Sequence, residues 1–441
     1  MRSVKHWALI SAMSAGLLTS LPSQAAPGLV DIYQMALLHD AQLAQARARY
    51  DAEREVMTQA RSLLLPKIDA RATLQQNESN SDRSTGSDQI LSVSLEQPLF
   101  NREAFSRYDQ AKYQLESSEI SYRLAQQSLI ERVSSVYFDV LLAEQNLALA
   151  TSKQEADKIQ WEKAQASSDV GLASRTDVLQ TRSAYDLSIS TRINAENTLD
   201  SAYEAMTKLT GKPVRQIKQL VLDVALPKLN MDKTALELKA EVDNLQVRLA
   251  QQDYLVASEE VEAQKSGHWF NVSLNAQVSD TSYSGYNTTG FTTRLDNQNT
   301  SVGITLNVPL YRGGATSSQV SEARFNSQAA NISVRDAREQ ARLDARVQAQ
   351  NLQRGYSLVG ALREAVKSSE AFVEAAEEGY RVGLRNLIDV VTARANLFDA
   401  QSNLAEALHN LLLTQLRLQN TLGELNVDHL REIDQLLSNP S

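Results

Sequence analysis

Two ten-residue phrases hold polar side chains at a suggestive spacing, VGLASRTDVL at 170–179 and VGLRNLIDVV at 382–391, and five of their ten positions are identical. In Ser174-Arg175-Thr176-Asp177 and in Asn386-Leu387-Ile388-Asp389 an oxygen-bearing side chain stands three residues before a carboxylate. That is the spacing of a helix capping box. Gly171 and Gly383, just ahead, suit the left-handed residue that ends a helix. The chemistry on offer is hydrogen bonding at a corner between two helices, not bond breaking. Elsewhere the chain has no Gly-rich phosphate loop, no Gly-Xaa-Ser-Xaa-Gly and no histidine beside a plausible nucleophile. No enzyme is expected. His6, His39, His268, His409 and His429 are scattered without ligand spacing, so neither a metal nor any other cofactor is expected.

The corner belongs to a longer repeat. Glu96-Gln97-Pro98-Leu99-Phe100 corresponds to Asn307-Val308-Pro309-Leu310-Tyr311, and Leu209-Thr210-Gly211 to Thr421-Leu422-Gly423. Colinear matches of this kind indicate an internal duplication of about two hundred residues, far longer than a solenoid repeat. The first repeat spans 26–229 and the second 230–423, with a C-terminal segment at 424–441.

The 441 residues carry 42% hydrophobic and 22% charged side chains, which is ordinary for a folded chain. With 16 glycines and 8 prolines the composition favours helix. Residues 1–25 read as a secretory signal: Arg2 and Lys5, an apolar run from Trp7 to Leu21, then Ser23-Gln24-Ala25 as the cleavage site. A retained anchor is the competing reading, but the apolar run is short for a spanning helix. Loss of those two cations takes the net charge from -9 to -11. Such an acidic exported chain is not expected to bind nucleic acid. It has no cysteine, hence neither disulfides nor a lipobox anchor.

Each repeat follows one grammar. A helical stretch comes first, roughly 29–64 and 232–266. Two segments with apolar residues at every second position follow, about 66–75 and 90–98, then about 270–279 and 301–309. Period two marks strands with one apolar and one polar face. The residues between them, 75–89 and 279–301, read as hydrophilic loops. Long hairpins come next, 101–210 and 313–422. Arg102–Val170 lacks Gly and Pro, and such a helix would reach about 100 Å. Leu129, Val133, Val136, Val140, Ala143, Leu147 and Ala150 form a heptad seam. Ile130, Tyr137, Phe138 and Leu141 widen it, which calls for more than one packing neighbour. Leu172–Thr210, 315–381 and 384–422 supply the other long helices.

Four strands cannot close a barrel, and lipid does not tolerate open edges. Two chains would supply eight strands with a filled interior; three would supply twelve and an aqueous lumen. Asp69, Arg71, Thr73, Ser92, Ser94, Glu96, Ser273, Asn275, Gln277, Thr305 and Asn307 would then face water. A soluble sandwich is the competing reading, opposed by the export signal and by the lack of any other cover for the apolar faces. A periplasmic coiled-coil adaptor or scaffold is the competing function; two hairpins, each preceded by amphipathic strands, favour a duct.

SLEQPLF, VGLASRTDV, SDTSYSG, NVPLYRGG, GYRVGLRNLIDV and TLGELN, in this order on a duplicated scaffold, resemble the TolC family of trimeric outer-membrane channels over nearly all of the mature chain. The resemblance implies a mixed α and β membrane protein. Its homotrimer forms a 12-stranded β-barrel in outer-membrane lipid, continued by a 12-helix α-barrel through the periplasm. Each chain supplies four strands and two helical hairpins. Equatorial segments would come from about 212–229, extending toward 235, and from 424–441. Such proteins are passive exit ducts for drug efflux or type I secretion. Their partners are a periplasmic adaptor and an inner-membrane transporter of RND, ABC or MFS type.

By the same resemblance the closed periplasmic end is held by a network that falls on Thr176, Asp177, Tyr380 and Arg385, with a further pair at Gln160 and Glu377. Asp389 matches an acidic ring on the pore axis. The family's second acidic position is Thr392 here, which puts the strength of the cation filter in doubt. Val170, Gly171, Leu172, Val382, Gly383 and Leu384 match the tips that meet the adaptor. Read without the resemblance, Asp177 is a capping carboxylate and the others are solvated surface groups.

Overall fold

The computed structural model describes residues 26–79, 84–220, 232–286 and 292–438. The signal at 1–25 and residues 221–229 of the equatorial segment expected at 212–229 lie outside the described residues.

The chain opens with α1 (Leu29–His39) and α2 (Ala41–Ser62), then β1 (Lys67–Ser79) and β2 (Ser84–Phe100). The first hairpin is α3 (Arg102–Asp169) and α4 (Arg175–Thr210), followed by the short β3 (Gln219–Leu220). The second half repeats the order with α5 (Lys233–Asp243), α6 (Leu245–Lys265), β4 (Asn271–Tyr286) and β5 (Thr292–Asn307). Its hairpin is α7 (Ala315–Arg381) and α8 (Leu387–Thr421), with α9 (Val427–Asp434) and β6 (Leu437–Ser438) closing the described chain. Among the described residues no helix is long and apolar enough to cross a membrane.

Two expectations are corrected here. The stretches 29–64 and 232–266 are each two helices, broken at Asp40 (φ -62, ψ 116) and Asn244 (φ -58, ψ 128). Each breaking residue turns its side-chain oxygen onto the next helix, accepting from Leu43 N for Asp40 and from Gln246 N and Val247 N for Asn244. That local alternative to the helical ladder is why Asx residues end helices. The second correction concerns the loops expected at 75–89 and 279–301. The strands run on through most of both, Asn77 pairing with Gly86 and Ser282 with Asp296. Backbone pairing needs no apolar side chain, so a ladder wetted on both faces loses the period-two signature while keeping its hydrogen bonds.

The strands form one antiparallel sheet in the order β1-β2-β4-β5, with the two repeats joined at β2 and β4. Its register aligns the faces. Ile68, Leu95, Ala276 and Val302 form one row across all four strands, and Asp69, Ser94, Gln277 and Ser301 form the next. The apolar rows are bare: Ile68, Leu91, Val93, Val278, Val302, Ile304 and Leu306 are all exposed. On the polar face Asn275 donates to Thr305 Oγ1 at 3.0 Å. Among the described residues both outer strands, β1 and β5, keep a free edge.

The core lies at mid-length of the hairpins. Tyr137, Phe138 and Leu141 of α3 pack with Met206 of α4 and with Leu408, Leu412 and Leu416 of α8. The 68 residues of α3 span about 100 Å. The shorter α2 and α4 lie along its two ends, which supplies the several neighbours its wide apolar stripe requires. At mid-length the two ends of the described chain also meet, with β3 between them: β3 pairs with β6, Lys218 N donates to Pro27 O at 3.2 Å, and Leu29 N donates to Asp434 Oδ1 at 2.7 Å.

Candidate functional site: the hairpin tips

Both corners close the same way. Leu172 N donates to Ser167 O at 2.8 Å and Leu384 N to Gly379 O at 2.8 Å. Between them Gly171 (φ 78) and Gly383 (φ 77) are left-handed. A Cβ at either position would touch nothing within 4 Å. The backbone angle alone therefore asks for glycine, as expected of a helix ended by a 6→1 bond. The turn leaves its apolar side chains in water: Val170 is 70% exposed, Leu172 84%, Val382 57% and Leu384 82%.

The outgoing helices start differently. At Ser174 the capping box is complete: its hydroxyl accepts from Asp177 N at 3.1 Å, and the Asp177 carboxylate accepts from Ser174 N at 3.0 Å. At Asn386 only half of the expected box forms. The side chain accepts from Asp389 N at 2.9 Å, but the Asp389 carboxylate lies 3.6 Å from Arg385 Nη1. A guanidinium just before the cap competes for the carboxylate, and the first hairpin has no counterpart, since Ala173 occupies that position.

Gln160, Glu377 and Tyr380 come together, with Lys163, Val390 and Arg394, around a cleft of about 410 Å³ between α3 and the second hairpin. Gln160 is buried there. The Tyr380 ring packs on the small cluster of Ala376, Val390 and Ala393. The stem of Arg385 lies across Gly379, where a Cβ would stand 2.7 Å from its Cγ. Glu377 pairs not with Gln160 but with Arg394, whose Nε donates to Oε1 at 2.9 Å. Thr176, exposed, and Asp177 sit on the first turn of α4. Among the described residues no hydrogen bond or ion pair within one chain joins either of them to Tyr380 or Arg385.

Sequence reading missed Arg394, though a signal exists. In an antiparallel hairpin, residues equidistant from the corner face each other. Glu377 and Arg394 stand equally far on either side of the Arg385-Asn386 bond and carry opposite charges.

A sheet with one bare apolar face, one polar face and two free edges requires lipid on one side and water on the other. Carried on hairpins about 100 Å long, it defines a duct that leaves an outer membrane for the space beneath. The model of the outer membrane efflux protein family matches residues 32–212 and 238–424, and the chain belongs to that family. It is 31% identical over 435 residues to outer membrane protein TolC of Vibrio cholerae, covering 96% of each chain. It is 26% identical to the alkaline protease secretion protein AprF of Pseudomonas aeruginosa, over 90% of this chain and 85% of that one. The Campylobacter jejuni CmeC outer membrane channel superposes with a TM-score of 0.77 at 16% identity, over 92% of this chain and 89% of that one. The protein is therefore an outer-membrane export channel, and the adaptor reading falls.

Proposed function

We propose that three copies assemble into one duct, a 12-stranded barrel in outer-membrane lipid continued by a 12-helix barrel through the periplasm. The observation that carries this is the single sheet with free edges at β1 and β5 and a bare apolar face. In lipid each free edge must find a partner. Pairing β5 of one chain with β1 of the next satisfies every edge, and three chains leave a lumen that two would fill. The chain then divides into a leader at 1–25, repeats at 26–229 and 230–423, and a closing segment at 424–441.

The duct is passive. Its periplasmic end is held shut by Thr176 and Asp177 of one hairpin meeting Tyr380 and Arg385 of another, with Gln160 and Glu377 in the cleft behind. That the polar pairs do not meet within one chain supports a contact between neighbouring subunits. Asp389 rings the axis, one carboxylate per chain. The exposed Val170-Gly171-Leu172 and Val382-Gly383-Leu384 corners are the surface for a periplasmic adaptor, which opens the tip together with an inner-membrane transporter of RND, ABC or MFS type. Binding the open tips better than the closed ones is all the adaptor needs. The AprF likeness supports type I secretion beside efflux.

Native mass in mild detergent should give a trimer. In planar bilayers, Tyr380→Phe with Arg385→Ser should raise single-channel conductance with the trimer intact. A stable dimer or monomer would refute the duct, and wild-type conductance in the double variant would reduce the tip groups to caps.

A further inference from the structure

Three side-chain bonds join α3 to α8, and as one residue number rises the other falls. Asn420 donates to Glu131 Oε1 at 2.8 Å, Ser402 to Asn146 Oδ1 at 2.9 Å, and Arg394 Nη1 to the Ala156 carbonyl at 3.3 Å. They are rungs between the two hairpins. The first two flank the zone where the large apolar core already holds α3 and α8 together. That core ends toward the tip near Leu141 on α3 and Leu404 on α8. Beyond it the buried apolar cluster of the tip is Ala376, Val390 and Ala393, which belongs to the second hairpin alone. The buried α3 side chains of this stretch include the small Ala150 and Ala164 and the polar Asp157 and Gln160, of which Gln160 lines the cleft with Val390 and Arg394.

Arg394 stands where no large apolar cluster spans the two hairpins. Its side chain is only 25% exposed, and its guanidinium grips two helices at once. Nε and Nη2 hold Glu377 of α7, and Nη1 reaches the α3 carbonyl, using the lone pair that the helical ladder leaves free. We infer that Arg394 is a positioning residue of the tip, an intrachain strut that ties the second hairpin to the first and must release before the hairpins part. This rests on the tip being the gate. Lysine could not replace it, because one ammonium has no planar fork to serve both partners.

The test uses the full-length assembled protein in planar bilayers. Losing one charge-assisted hydrogen bond shifts a two-state equilibrium about tenfold. Arg394→Gln should raise the open fraction on that scale and Arg394→Lys nearly as much. Glu377→Gln leaves the α3 rung in place and should do clearly less. In the otherwise cysteine-free chain, a Gln160→Cys thiol should react with an aqueous maleimide about tenfold faster when Arg394→Gln is added. Trimer mass should not change. Equal effects of Arg394→Gln and Glu377→Gln, with unchanged maleimide rates, would make Arg394 a mere partner within the second hairpin and overturn the strut. If Arg394→Gln alone is silent while Tyr380→Phe with Arg385→Ser opens the channel, the strut fails and the gate stands. Silence of both fails the gate itself.

Discussion

His409 is 3% exposed on α8, stacked on Phe138 with ring centroids 5.7 Å apart, and among the described residues neither ring nitrogen has a hydrogen-bond partner. Burial disfavours the imidazolium and pulls its pKa from 6.5 down to about 4. Below 6.5 the unfolded chain takes up a proton that the folded one refuses until about pH 4. Stability from this group is therefore complete above 6.5 and lost as pH falls through that window. Between pH 8 and pH 5 the loss is about 2 kcal/mol per chain. Unfolding entropy of about 2 cal/mol/K per residue, over roughly four hundred residues, turns this into about 2 °C of melting temperature. The perturbation is His409→Phe, which keeps an aromatic ring against Phe138 and removes the titration. Far-ultraviolet circular dichroism of the detergent-solubilised protein, at one scan rate, gives the melting temperatures. The gap between variant and wild type should widen in favour of the variant by about 2 °C from pH 8 to pH 5. Parallel pH dependence of the two proteins would show that the ring is protonated or partnered in the fold, and would refute the argument from desolvation.

Two further outcomes follow from strand register and tip charge. Cysteines at Val93 or Ile304 should react with lipid-soluble probes and those at Ser94 or Thr305 with aqueous ones, because a one-residue slip exchanges the faces; swapped labelling would refute the register. Asp389→Ala should lower cation preference, read as reversal potential across a salt gradient, whereas Arg385→Ser, which removes the cation 3.6 Å from Asp389, should raise it; equal reversal potentials would mean that the carboxylate does not face the ions.

Much of the architecture was legible because it rests on local signals. The Gly-free and Pro-free run Arg102–Val170 contains α3, Arg102–Asp169, and the glycines expected to end helices are left-handed at Gly171 and Gly383. The strand faces were legible wherever one face is apolar. Where both faces are wet, as at Gln75 and Asp280, pairing continues without a pattern to reveal it. The breaks at Asp40 and Asn244 escaped notice because a single Asx inside an apolar rhythm reads as helix until its side chain is seen to cap the next one.

The sequence by itself determined the local geometry: where each hairpin turns, which face of each strand is apolar, and how far the hairpin helices run. These follow from backbone sterics, capping and periodicity, which act over a few residues. Only the tertiary structure decided what lies opposite what. It joins β2 to β4 across the duplication, gives Glu377 to Arg394 rather than to Gln160, leaves the Asn386 box half made, and lays the rungs from α8 to α3. Those pairings depend on how long helices, of 35 residues in α8 and 68 in α3, are rotated and aligned against each other. That alignment is set by the sum of packing along their whole length, and no short stretch of sequence contains it.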